Sequence, residues 1–204
     1  MELANHRELV VRQTREMLEV FTGFETANRY RILTPEGQEV MYAYEDSGFL
    51  GRQFLGNNRP LNLHILDSDG SPILNADRKF FFFFSHLNVQ DGNGSPVGSL
   101  KRQFGMLKRK FAVLDASGQQ VAGLNGRIFR PFTFTLNNAR GDELGRIVKE
   151  WGGIMREGFT DADNFRIHFT DMESGDQTRL LLLASAFAID LDFFEEKGSR
   201  QGIG

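Results

Sequence analysis

Two short segments of this sequence carry side chains suited to binding. The first is an unbroken run of five phenylalanines: Phe80, Phe81, Phe82, Phe83 and Phe84. The second is a basic segment made of Lys101, Arg102, Lys108, Arg109 and Lys110. Apolar rings and cations together suit the surface of an anionic phospholipid membrane, so these segments are the candidate contact points.

The residues typical of catalysis do not form a recognisable arrangement. The four histidines, His6, His64, His86 and His168, are scattered, and the sequence contains no cysteine. It also contains no nucleophile elbow, no phosphate loop and no His-Glu-x-x-His zinc motif. We therefore predict that the protein is not an enzyme, and we assign it no cofactor from these residues.

The phenylalanine run raises the question of what covers it. If Phe80–Phe84 is a barrel strand, both of its faces are apolar, although only the inner face lies in the core. An exposed run of this kind would promote aggregation. Three covers remain open: an N-terminal helix of this chain, a second copy of the chain, or direct contact with a membrane.

The basic segment also allows two interpretations. No acidic residue lies between Gly92 and Leu114, so the cations could hold anionic headgroups, at roughly 1 kcal/mol for each basic residue near a charged surface. They could equally be a solvated edge that blocks strand pairing. The formal net charge of the chain is -3, and we therefore expect no nucleic-acid partner.

The elements that would position these segments follow from hydrophobic spacing. Residues 8 to 21 have Val10, Met17, Leu18 and Phe21 on one face at helical spacing, which predicts an amphipathic N-terminal helix. From about residue 24 to 170 the period changes to two, which is typical of antiparallel strands.

Turn signals separate the strands at regular intervals. Four segments begin with an oxygen-bearing side chain and end with glycine: Thr34–Gly37, Asp67–Gly70, Asp91–Gly94 and Asp115–Gly118. They predict successive hairpins in a meander, and no linker divides the chain. We expect a single domain over residues 1–204.

The C-terminal element, about residues 178 to 194, is predicted to be a helix. Leu180–Ile189 is apolar on all sides, so it must be buried in protein or lie in a membrane. Fifteen helical residues span about 22 Å, which is short of the roughly 30 Å hydrocarbon core. We expect a closed β-barrel wrapped around this helix, which emerges from the barrel near Asp190 and Asp192.

Three segments resemble the phospholipid scramblase family: Glu16–Tyr30, Trp151–Phe165, and the C-terminal stretch that includes Ile189–Asp190 and Phe193–Glu195. The resemblance covers roughly residues 7 to 196. It implies a mainly β, tubby-like closed antiparallel barrel of about twelve strands around a central helix. It also implies calcium-dependent mixing of phospholipids between leaflets, and relatives in the wider superfamily bind phosphoinositides.

The resemblance also draws attention to two sites. The family's acylated cysteine cluster corresponds to Phe80–Phe84, so acylation is not available here. The family's calcium loop begins at Asp161, which implies weak Ca²⁺ ligation through Asp161, Asp163 and Asp171. Counted from Asp161, position 5 is Phe165 and position 12 is Met172, which departs from the helix–loop–helix calcium motif. A turn that enters a strand is the alternative.

Two functions remain open at this point. The first is a phospholipid-associated protein that aids redistribution of lipid between leaflets. The second is a soluble headgroup-binding, ligand-binding or protein-interaction module without transport activity. The charged first residues do not suit a signal peptide, so we expect a cytoplasmic protein, peripheral on the inner face of the plasma membrane in the first case.

Overall fold

A computed structural model describes residues 2–14, 29–46, 58–104, 109–127, 129–150, 164–170 and 175–194. Within these residues twelve strands form a closed antiparallel barrel, in which each strand pairs with its neighbours in sequence and β1 pairs with β12. The strands are β1 (Glu8–Thr14), β2 (Arg29–Leu33), β3 (Glu39–Asp46), β4 (Leu61–Asp67), β5 (Pro72–Arg78), β6 (His86–Asp91), β7 (Pro96–Gln103), β8 (Lys110–Asp115), β9 (Gln120–Arg127), β10 (Arg130–Asn138), β11 (Glu143–Glu150) and β12 (Asn164–Phe169). A short 3-10 helix (Glu2–Asn5) precedes them and the helix α1 (Asp176–Phe193) follows.

The predicted alternation of the strands is confirmed. Leu61, Leu63 and Ile65 of β4 are buried, and the residues between them are at least partly exposed. Strand β12 repeats the pattern with Phe165 and Ile167. The inward side chains point toward the centre of the barrel, because every strand of a closed sheet turns one face inward.

The apolar helix fills that centre, as predicted. Every residue of α1 from Arg179 to Asp192 is buried. Its first turn is fixed by Arg179, whose Nη1 donates hydrogen bonds to the carbonyl oxygens of Leu3 (2.9 Å) and His6 (3.0 Å). Because Leu3 is itself buried, the 3-10 helix closes this end of the barrel over the start of α1.

The predicted N-terminal helix over residues 8 to 21 is wrong where the structure describes it. Glu8–Thr14 is strand β1, and the barrel therefore begins at residue 8 and not near residue 24. Leu9, Val10 and Val11 are consecutive and buried, and β-branched valines fit a strand better than a helix. Pairing with both β2 and β12 closes the barrel and so overrides the weak helical spacing. Residues 15–21 lie outside the described residues.

The wall and the helix are in close contact at Gly145 of β11. A Cβ atom built at Gly145 would lie 2.2 Å from Leu182 Cδ2 on α1 and 2.8 Å from the carbonyl oxygen of His168 on β12. Both distances are far below van der Waals contact, so only glycine fits between the wall and the helix at this point.

We expect Gly145→Ala to destabilise the protein by about 1–3 kcal/mol, because the added methyl group overpacks the contact between β11 and α1. The matched control is Gly123→Ala on β9, where the nearest atom to a new Cβ is Asn125 Nδ2 at an ordinary 3.5 Å. Urea unfolding of both variants measures the difference, and equal midpoints would contradict the close approach.

Candidate functional site

The two ends of the barrel differ because successive connections of a meander alternate between them. Connections 34–38, 68–71, 92–95, 116–119 and 139–142 lie at one end, which we call the turn end. Connection 79–85 lies at the other end, which we call the loop end, together with Phe104, Arg109 and Phe129 beside the ends of β7, β8 and β10. Helix α1 begins at the turn end and ends at the loop end, since it follows β12.

The turn end consists of tight turns with acidic side chains. Oδ1 of Asp67 accepts hydrogen bonds from the backbone N–H groups of Asp69 (3.0 Å) and Ser71 (2.8 Å), and Asp91 and Asp115 repeat the arrangement. All four predicted turns are confirmed by a hydrogen bond from the closing glycine N–H to the opening carbonyl oxygen. A fifth turn, from Asn138 to Gly141, was not predicted, although it begins and ends with the same residue types.

The phenylalanine run lies in the loop between β5 and β6, so it is not a barrel strand, which was the condition for two apolar strand faces. Phe82 and Phe83 are 77% and 84% exposed, and Phe80 and Phe84 are also exposed. Phe81 is the most covered of the five, with the Arg78 guanidinium 5.1 Å from its ring centroid. A covering helix over residues 8–14 is excluded, because those residues form β1.

Two more exposed phenylalanines lie at the same end, and the sequence analysis missed both. Phe104 follows the last residue of β7 and is 79% exposed, and Phe129 lies between β9 and β10 and is 97% exposed. The available signal was that each ring stands outside the alternation of its neighbouring strands. Among the described residues, every exposed phenylalanine is therefore at the loop end.

The predicted basic residues lie beside these rings. Lys101 is exposed on β7, Lys110 is half-exposed on β8, and Lys108 lies outside the described residues. Arg102 and Arg109 lie at the barrel mouth, over the ring of Phe193 at the end of α1. Lys79 and Arg130 are further exposed bases at this end, and Asp46 is an exposed acid. The closed barrel has no edge strand whose pairing these cations could block, and the choice between a solvated surface and headgroup binding stays a prediction.

Buried ion pairs lie under the mouth of the barrel. Arg78 donates to Asp192 at 2.8 Å, and Arg59 forms two hydrogen bonds with Oε1 of Glu45. The prediction that α1 emerges from the barrel near Asp190 and Asp192 is wrong, because both carboxylates are buried. These partners could not be predicted from sequence, since the two members of each pair come from separate segments of the chain.

Asp190 has two neighbours of its own. The Tyr30 hydroxyl donates to it at 3.2 Å, and the Lys149 ammonium lies 3.5 Å away. A buried carboxylate needs such partners, because an isolated charge is costly to remove from water. The end of α1 is thus held by wall residues that match its charges.

The candidate calcium ligands Asp161, Asp163 and Asp171 lie outside the described residues. Within the described part of the chain, no three acidic, histidine or cysteine side chains are grouped so that they could hold a metal ion. A search of the same residues finds no helix with the length and apolarity required to cross a membrane.

The described residues form a helix-filled barrel with exposed aromatic rings and basic side chains at one end. Comparison with known proteins gives the family: the Scramblase profile matches residues 1–196, and the chain belongs to this family. Mouse phospholipid scramblase 1 is 33% identical over 98% of this chain and 64% of its own length. Human phospholipid scramblase 1 is 31% identical over 95% of this chain and 65% of its own length.

The chain thus spans just under two thirds of the length of these relatives. An X-ray structure of a protein from Arabidopsis thaliana is 10% identical, covers 91% of this chain and 90% of its own, and has a TM-score of 0.48. The family description, Scramblase, names no catalysed chemical reaction.

Two aspartates are expected to give opposite pH dependence to stability. Burial raises the pKa of Asp192, an effect that Arg78 and Arg102 oppose, so its contribution is present below the unfolded pKa and is lost as pH rises through the folded pKa. Hydrogen bonds from Ser117 and Gln119 lower the pKa of Asp115, so its contribution is present above the unfolded pKa and is lost as pH falls.

The measurement is the free energy of unfolding in urea between about pH 3 and pH 7, a range that contains the unfolded pKa of about 3.9. The difference between wild type and Asp192→Asn should fall as pH rises, and the difference between wild type and Asp115→Asn should rise. Each asparagine keeps a carbonyl oxygen as acceptor, so the slope is informative even if the variant is uniformly weaker. Two slopes of the same sign would contradict the assignment.

Proposed function

We propose that this scramblase-family protein associates with phospholipid at a membrane surface through its loop end. One observation supports this most directly: exposed aromatic rings and basic side chains occupy one end of the barrel. The acidic turns that begin with Asp67, Asp91 and Asp115 occupy the other. A bilayer with anionic headgroups would attract the loop end and repel the turn end.

The energies of the two kinds of contact are comparable. Each fully buried phenylalanine contributes about 1.5–3 kcal/mol, and each cation near an anionic surface contributes about 1 kcal/mol. Stable association of a peripheral protein generally needs two such signals. The rings stand where the family's acylated cysteines are expected, so they would supply the apolar signal in place of an acyl chain.

Redistribution of phospholipid between leaflets is the finer part of the proposal. Helix α1 is buried on all sides, so lipid would not move along it, and the loop end would act by disturbing the headgroup layer. The proposal includes no chemical reaction. The expected location is the cytoplasmic face of the plasma membrane, because that leaflet carries anionic lipid.

We expect Phe82→Ser/Phe83→Ser to weaken binding to anionic vesicles by on the order of a hundredfold or more, since about 1.4 kcal/mol is a factor of ten. Co-sedimentation with vesicles that contain phosphatidylserine measures the partition. The control is Val121→Ser, which removes an exposed apolar side chain next to the turn end. Equal loss in both variants would refute docking by the loop end.

Charge gives a second, independent prediction. Lys101→Gln/Lys110→Gln removes two loop-end charges, and we expect about a tenfold loss of binding to anionic vesicles. Added salt should reduce the difference between this variant and the wild type, because it screens the charges. The control Arg7→Gln/Arg140→Gln removes the same net charge from exposed side chains at the turn end. If both pairs lose equally, net charge and not position governs binding, which contradicts the proposal.

Vesicle composition and calcium complete the design. Neutral vesicles should bind weakly, and a comparison of calcium with chelator tests the part played by the ion. Absence of binding under every condition would overturn the proposal. Sedimentation velocity would then test self-association. A wild-type dimer and a monomeric Phe82→Ser/Phe83→Ser variant would identify the exposed rings as a self-association surface.

A further inference from the structure

Cations and rings are packed together at the barrel mouth, where α1 ends. The guanidinium carbon of Arg102 lies 4.8 Å from the ring centroid of Phe193, and that of Arg109 lies 5.2 Å from it. Arg109 is also 4.9 Å from the centroid of Phe194, and the Lys149 ammonium is 4.0 Å from the same ring. Aromatic faces thus hold three cations within one small region.

The electrostatics of the three cations differ. Lys149 is balanced by Asp190 at 3.5 Å, and Arg102 lies in the field of Asp192, whose pKa it lowers against the effect of burial. At Arg109, burial and then repulsion by Arg102 lower the pKa of the guanidinium. Both effects disfavour its charged form, and an anion bound beside the two arginines would offset them.

The backbone fixes Arg109 in this place. Its carbonyl oxygen accepts a hydrogen bond from Gly126 N–H at 2.8 Å. A Cβ atom at Gly126 would lie 3.2 Å from the Arg109 Cβ and 2.8 Å from Phe134 Cε1. Phe134 in turn stacks on Phe193 at 6.0 Å between centroids. Glycine at position 126 therefore allows Arg109 to pack against Phe134, which supports Phe193. Arg109 is thus held in place before any ligand binds.

We propose that Arg102 and Arg109 form a phosphate-binding site at the barrel mouth. Arginine presents a planar fork of donors that matches two phosphate oxygens, and two such forks bind the group better than dispersed lysines. The shared chemistry is the phosphate group, whether of a lipid headgroup or of a free phosphate. Only the lipid source rests on the proposed function, because binding of soluble phosphate needs no membrane.

The test is a titration of the protein with inorganic phosphate at constant ionic strength, followed by the Nε–Hε NMR signals of the arginines. We expect the Arg102 and Arg109 signals to shift, and Arg102→Gln/Arg109→Gln to weaken binding by about tenfold or more. Arg7→Gln/Arg140→Gln, with the same loss of charge at the turn end, should change it by less than about twofold. The wild-type titration stays informative even if the loop-end variant folds poorly.

The source of the phosphate is distinguished by two further arms. Glycerophosphoserine should shift the same signals, and for a lipid source Arg102→Gln/Arg109→Gln should also weaken binding to phosphatidylserine vesicles. Unchanged vesicle binding with lost phosphate binding identifies a free phosphate and leaves docking by the aromatic rings intact. Failure of vesicle binding alone refutes only the proposed function.

Two results would overturn the phosphate site. One is that the Arg102 and Arg109 signals do not shift, or shift no more than those of Arg7 and Arg140. The other concerns the two glutamates that follow Phe194, Glu195 and Glu196. If phosphate binds to the Glu195→Gln/Glu196→Gln variant and not to the wild type, the carboxylates of Glu195 and Glu196 are the groups that Arg102 and Arg109 bind.

Discussion

The structure depends on the removal of one helix from water. Helix α1 is apolar on every side, so a single packed face cannot bury it, and only a surrounding sheet can. Barrel closure, the inward alternation of the strands and the absence of a side chain at Gly145 all serve that burial. The 3-10 helix held by Arg179 covers the start of α1 in the same way.

The same constraint creates the candidate site. Because α1 ends inside the barrel, its last residues bring Asp190, Asp192 and Phe193 to the loop end, and Phe194 follows directly. The carboxylates need cations from the wall, and the rings offer faces on which further cations stack. The charged mouth of the barrel is therefore a consequence of where the core helix ends.

The sequence predicted the elements whose burial decides their pattern: the alternating strands, four turns and α1. It failed where local spacing was ambiguous, because Glu8–Thr14 has helical spacing and β-branched valines, and only pairing with β12 decides between them. It failed also for Phe80–Phe84. Phenylalanine has a high β-propensity, but propensity alone does not distinguish a strand from a loop between two strands, which is where this run lies. The pairs Arg78–Asp192 and Arg59–Glu45 depend on barrel register, which one sequence does not reveal.

The two ends of the barrel also differ in the kinds of connection that they carry. Among the described residues, the five turns closed by glycine fall at one end, where aspartate or asparagine side chains satisfy the backbone in four of them. The longer connection 79–85 falls at the other end and carries exposed rings and Lys79 at little cost to the core. Since lipid cannot pass through a barrel filled by α1, a role of this fold on phospholipid has to be exercised from outside. The loop end is where the described surface has the chemistry for it.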